Sequence, residues 1–331
     1  MKERIEFIDA TKAICMLLVV LGHCYWTESI PHLSGAIYSF HMPIFFVISG
    51  FFIKKMSPED ALKKYGRAYL LPYATTGVIC ILEVLLLALC GECSIIPTIK
   101  ETLIRFIWGC GWEGGDALFS NIPGGLFLWF ILALFWACLF YSVIDNRISS
   151  EFRKGLLIIL LAVISRISIR YISLPFSIQA GLFSMVFIYS GTLIKKYGIL
   201  EKLAHLPVAY YSLILIVCAF HLLKCQTMLS VGKVLYDSFG IVTTLLLCCM
   251  VMIMVKRFNV KGGWLGKNTM LLLCGHSIAK FPELCSSRFS FESLSFHPAE
   301  NLIIEFTVSV VVAYGIARLL SIFPVFRKKI N

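Results

Sequence analysis

The chain has 331 residues, of which 59% are hydrophobic, 14% aromatic and only 15% charged, whereas a soluble domain carries about 25% charged residues. With a mean hydropathy of +0.85, too few polar side chains remain to cover a water-facing surface, which excludes a soluble enzyme, a disordered chain, a collagen and a coiled coil. The formal net charge of +11 comes from short cationic groups set between apolar runs, where membrane topology places Lys and Arg, so no nucleic-acid partner is expected.

A membrane span needs about 20 mainly apolar residues. On that measure the sequence predicts an all-α, polytopic helix bundle of about ten transmembrane helices, at roughly 8–27, 36–54, 69–89, 125–145, 156–172, 176–194, 206–223, 237–255, 265–282 and 302–322. The bundle forms a single domain over residues 1–331 with no soluble appendage. The first apolar run opens on Asp9 and Lys12 and ends at His23 without a small-residue cleavage site, so it reads as a span and not as a signal peptide. Segment 98–110, with Ile99, Leu103, Phe106 and Ile107 beside Lys100 and Arg105, is shorter and amphipathic and is expected to be interfacial or re-entrant. The fifth span, carrying Arg166 and Arg170, departs most from the apolar pattern.

With the N-terminus cytoplasmic, 20 of the 30 Lys and Arg residues fall on inner segments. Seven fall on outer ones (Lys100, Arg105, Arg166, Arg170, Lys224, Lys233 and Arg288), and Lys12, Lys280 and Arg318 lie within spans. That asymmetry predicts both termini in the cytoplasm, the segments 28–35, 90–124 and 283–301 outside, and insertion in the cytoplasmic membrane. Most of the 13 cysteines sit inside apolar runs and act as small hydrophobes. Cys90-x-x-Cys93 has no second pair at zinc spacing and reads as a chance pairing at a helix end.

Ionisable groups at membrane depth are costly and mark function. His23 lies eleven positions after Lys12; at about 100° per residue both project from one stripe of the first helix, about 16 Å apart. Lys12 alone could equally snorkel to the surface. The short connection to the second span brings His41 to the depth of His23, and the ninth span puts His276 near the midplane. With Glu83 and Glu305 from the third and tenth spans, the three imidazoles are enough for an acid/base site. No His-x-x-x-His or Glu-x-x-His spacing supports a metal, and none is expected. Before the third span, Lys63-Lys64-Tyr65-Gly66-Arg67 could grip phosphates or be an ordinary positive-inside cluster. Trp129-Phe130 could line a pocket or pack the bundle.

The run Ile8-Asp9-Ala10-Thr11-Lys12-Ala13-Ile14 through Val20-Leu21-Gly22-His23 resembles the opening helix of the acyltransferase-3 family of integral membrane O-acyltransferases, which shows a basic residue, ten intervening positions and a histidine. The segment Ile37-Tyr38-Ser39-Phe40-His41-Met42-Pro43 onward resembles the family's second helix, and more narrowly the fucose 4-O-acetylase-like branch. Lys64-x-x-Arg67 before Leu71-Pro72-Tyr73 is similar to the family's R-x-x-R, Trp129-Phe130-Ile131 to its W-F-L element, and Gly266-Lys267-Asn268-Thr269 through His276 to its late GKNS…H helix. Two positions depart from the pattern, Lys12 and Lys64 standing for arginine, and lysine lacks the planar fork for bidentate phosphate binding.

The resemblance implies a ten-helix core and transfer of an acyl group, acetyl foremost, from acyl-coenzyme A to a hydroxyl of a cell-surface or lipid-linked glycan. It implies His23 as main catalytic base with His41 as orienter or oxyanion donor. It raises Lys64 and Arg67 to donor-binding groups; Lys12 is expected with them, and Glu83, Trp129 and His276 are expected at the acceptor. Membrane lipids are the remaining expected partners. The composition also allows a transporter or flippase of glycan or small metabolite, or the membrane component of a larger enzyme; no inverted halves with paired broken helices favour transport.

Overall fold

The computed structural model describes residues 5–30, 32–109, 124, 127–224, 228–230, 233–235 and 239–326. Of the cations counted for topology, Lys2, Arg4, Arg327, Lys328 and Lys329 lie outside the described residues, as does most of the outer segment beyond Gly109.

Helix α1 (Glu6–Gly22) has Glu6 and Asp9 in its first turn, where the helix dipole favours acids. It ends at His23, whose backbone leaves helical geometry, and a 3₁₀ turn follows at Tyr25–Ser29. The second predicted span is not one regular helix. It consists of α2 (Leu33–Tyr38) and α3 (Pro43–Phe52), interrupted at 39–42. Pro43 has no N–H to give the carbonyl four residues back, so the Ser39 carbonyl would be orphaned inside the membrane. The Thr244 hydroxyl supplies the missing donor at 2.8 Å. His41 therefore sits in a break held open by a proline and closed by a distant threonine.

The basic cluster is helical and not a loop before the third span. Helix α4 (Pro58–Tyr65), capped by the Ser57 hydroxyl, passes through a π turn at Gly66–Leu70 into α5 (Leu71–Leu89), giving a 32-residue stretch from Pro58 to Leu89. Pro72 lacks the N–H that a regular helix would aim at Ala68, and the wider turn accommodates it. Arg67 lies in that π turn. Helix α6 (Ile95–Trp108) is the short amphipathic segment, tied to α5 by the Tyr73 hydroxyl donating to the Phe106 carbonyl at 2.6 Å.

The remaining helices are α7 (Trp129–Arg147), α8 (Glu151–Ser168), α9 (Ile178–Lys196), the short α10 (Ile199–Ala204), α11 (Val208–Lys224), α12 (Gly240–Arg257), the short α13 (Gly263–Lys267), α14 (Thr269–Cys285) and α15 (Pro298–Leu320). A two-stranded hairpin, β1 (Met228–Ser230) with β2 (Lys233–Leu235), lies between α11 and α12. Each predicted span position holds a helix. Among the described residues six stretches are long and apolar enough to cross a membrane: Leu33–Phe52, Pro58–Leu89, Trp129–Arg147, Ile178–Lys196, Gly240–Arg257 and Pro298–Leu320. Helices α1, α11 and α14 have 17 residues each, and α8 carries Glu151, Arg153, Lys154 and Arg166.

Apolar side chains such as Leu82, Leu86, Ile159, Val217 and Val311 are exposed. Such a surface suits lipid, where the helix satisfies its own backbone groups and apolar side chains face the chains. The protein is a multi-pass membrane protein. Its core is built by α3, α7 and α9 around Phe46, Ile131, Leu132, Met185 and Phe187, all under 2% exposed. Gly50 and Gly191 let α3 and α9 touch through their backbones: a Cβ at Gly50 would overlap the Ile188 carbonyl, and one at Gly191 the Val47 carbonyl. Small residues permit this close crossing, which fixes α3 and with it His41.

Candidate active site

A cavity of about 610 Å³ opens among four cations: Lys12 of α1, Lys64 of α4, Arg67 of the π turn and Lys267 of α13. Three of these were expected to act together from sequence, and the fold brings them to one mouth. Lys64 and Arg67 are exposed, with the Lys64 ammonium 4.9 Å from the centre of the Tyr65 ring. Lys12 is half-buried and paired with Asp9 at 2.6 Å. Deeper in, the wall turns apolar, through Met16, Val19, Met42, Phe45, Phe130 and Leu273.

Those deep residues lie next to the histidines. His23 is one helical turn beyond Val19, His41 follows Met42 in reverse order by a single residue, and His276 is three residues past Leu273. The His23 and His276 rings stack at 5.6 Å with 24° between planes, and Phe127 packs edge-on against His23 at 4.6 Å. His23 and His41 each contact Tyr38, at 6.2 and 5.1 Å, and the Tyr38 hydroxyl donates to the Gly22 carbonyl at 2.8 Å. Two of the expected catalytic groups and one expected substrate-binding group thus form one layer.

Their ring nitrogens differ in occupation. His41 Nδ1 is 2.7 Å from the Ile37 carbonyl. A carbonyl only accepts, so Nδ1 carries the proton and a neutral ring keeps its Nε2 lone pair. His276 is fully buried, and among the described residues neither of its ring nitrogens has a hydrogen-bond partner. Buried polar groups are normally satisfied, so a pair of orphaned imidazole nitrogens marks a place where a polar ligand group belongs. His23 is half-buried and lines a second cavity of about 490 Å³, together with Cys24, Tyr25, Glu28, Ser29 and Tyr38. The Tyr25 hydroxyl donates to Glu292 at 3.1 Å. His23 thus lines a cavity rich in hydroxyls, while Val19, Met42 and Leu273, close in sequence to the three histidines, line the cavity with the basic mouth.

Two expected site residues are elsewhere. Glu83 lies with Cys80 and Cys285, and among the described residues no hydrogen bond or ion pair joins it to the histidines. Trp129 is buried beside Phe130, their rings at 6.3 Å, and it is Phe130 that lines the basic cavity. Sequence reasoning missed Tyr38, one turn before His41, and gave no role to Lys267, though both lie within the motifs that drew attention. Among the described residues no three metal-ligating side chains converge.

The family model described as an acyltransferase domain, that of the acyltransferase-3 family, matches residues 5–322. The chain belongs to the acyltransferase-3 family. No curated protein and no solved structure matches it. Membership makes this a membrane acyltransferase.

Proposed function

We propose that this acyltransferase moves an acetyl group from acetyl-coenzyme A to a carbohydrate hydroxyl of a cell-surface or lipid-linked glycan, across the cytoplasmic membrane. The observation that carries this reading is a pair of cavities: one joins four cations to an apolar wall that includes Val19, Met42 and Leu273, and the other is lined by His23 itself with the hydroxyls of Tyr25, Ser29 and Tyr38. Lys64 and Arg67, with Lys12 and Lys267, suit the donor's phosphates. A volume of about 610 Å³ is in the range of ligand pockets, and its apolar throat suits an uncharged acyl-bearing arm. The positive-inside asymmetry sets the basic mouth in the cytoplasm, where coenzyme A is found. The charged nucleotide stays at that mouth, because carrying it into the bilayer is too costly.

A sugar hydroxyl becomes a competent nucleophile when a base takes its proton. His23, which lines the acceptor side, takes it; the hydroxyl oxygen bonds to the thioester carbon, and the negative charge develops on the carbonyl oxygen. His276, whose N–H has no acceptor among the described residues, donates to that oxygen. When the carbon–sulfur bond breaks, the proton on His23 passes to the departing sulfur, leaving a free thiol and a neutral base. His41 holds Tyr38, and through it the end of α1, in register.

In sealed vesicles of known orientation, labelled acetyl-coenzyme A supplied at the basic face should label a glycan acceptor supplied at the opposite face. Labelling only when both substrates share the basic face would overturn the trans-bilayer route; no transfer to any hydroxyl acceptor, with transfer to amines instead, would overturn the O-acetylation.

A further inference from the structure

We infer that Glu305 is a positioning residue for the reaction, clamping the chain immediately after His23 so that the base and the wall of the acceptor pocket keep one geometry. This rests on the reading of His23 as the base.

Glu305 of α15 is completely buried, which for a carboxylate at membrane depth demands several compensating donors. It has three. One oxygen accepts from the Tyr25 amide and from the Lys280 ammonium, each at 2.8 Å, and the other accepts from the Trp26 amide at 3.3 Å. Tyr25 and Trp26 open the 3₁₀ turn whose first N–H groups have no partner within the turn. That turn starts two residues after His23, and Tyr25 itself lines the acceptor pocket. Lys280, 3% exposed, sits one helical turn beyond His276 and also donates to Glu283 at 2.9 Å. The carboxylate thus joins α14, which carries His276, and α15 to the exact stretch of chain that terminates α1 at His23.

An ion pair that only held α14 to α15 would not need the two amides. Buried pairs can often be replaced by apolar residues with little loss of stability, and this separates a positioning role from a merely structural one. In Lys280→Met/Glu305→Met the helices can still pack, but the turn loses its acceptor. The enzyme should remain inserted with an unchanged KM for acetyl-coenzyme A and a modestly lower unfolding midpoint, because the Tyr25 and Trp26 amides lose their acceptor. Its kcat should fall about 100-fold, the scale of a misplaced catalytic group. Cys24, now 3% exposed, should react faster with a membrane-impermeant maleimide, located at that cysteine by peptide mass spectrometry. Glu305→Gln, the milder change, keeps one acceptor oxygen for the Tyr25 amide but loses the one that accepts from Trp26, and should recover part of the kcat while lacking the ion pair.

Parental kcat in the double variant, unchanged Cys24 reactivity, or a Glu305→Gln variant no more active than the double variant would each overturn the inference. Should the double variant not insert, Glu305→Gln and Glu305→Leu compared for kcat and Cys24 labelling carry the same test. Failure of the underlying reading is separately visible: His23→Ala would then retain activity, whereas Cys24 labelling reports the clamp without any turnover.

Discussion

Replacing Lys64 and Arg67 by glutamine removes two of the four cations at the basic mouth. Both side chains are exposed, so solvent screening holds each charge-assisted contact near the bottom of its range, about 1 kcal/mol instead of about 3. At about 1.4 kcal/mol per tenfold, each loss is about fivefold in donor affinity and both together about 30-fold. Binding should not vanish, because Lys12, held at 2.6 Å by Asp9, and Lys267 remain. Initial-rate kinetics in vesicles should show the KM for acetyl-coenzyme A rising by about that factor, with kcat and the acceptor KM nearly unchanged. Raising the ionic strength should shrink the difference, since screening weakens exposed charges. An equal rise in both KM values, or a reversed topology detected by cysteine accessibility, would refute donor binding and leave the cluster as an orientation signal.

His23→Ala should lower kcat by about 10²- to 10⁴-fold, the usual cost of losing a general base, in a protein still inserted; residual activity above about a tenth would contradict the role. Phe130→Ala widens the apolar throat lined by Phe45 and Leu273 and should raise the rate with longer acyl donors relative to acetyl; an unchanged chain-length profile in a donor series would place the acyl group elsewhere. Gly191→Ala puts a Cβ against the Val47 carbonyl at the α3–α9 crossing and should cost about 1–3 kcal/mol, as overpacking does, seen as a lower unfolding midpoint in detergent; a parental midpoint would mean the crossing is looser than described.

Much of the fold was legible because local composition decides it. Apolar run length located the helices, whereas the 3.6-residue period that predicted Lys12 and His23 on one stripe runs only to Gly22, with His23 at the non-helical cap of α1. The break at Pro43 in the second span was not read from the sequence, and its repair is not local: the donor for the Ser39 carbonyl comes from Thr244, 205 residues away. Helix α7 is apolar nearly all round, so its period carries no facing information, and only packing decided that Phe130 and not Trp129 lines the cavity. Likewise Glu83 and Glu305 looked equivalent as lone acids in outer half-spans, yet one lies among cysteines and the other caps the turn after His23. The stacking of His276 on His23 and the arrival of Lys267 beside Lys64 and Arg67 depend on how helices far apart in the chain rotate against one another. A sequence sets the stripe on each helix through its own periodicity, whereas the azimuth of that stripe in the bundle is set by close contacts such as Gly50 against Ile188, which form only when the whole bundle packs.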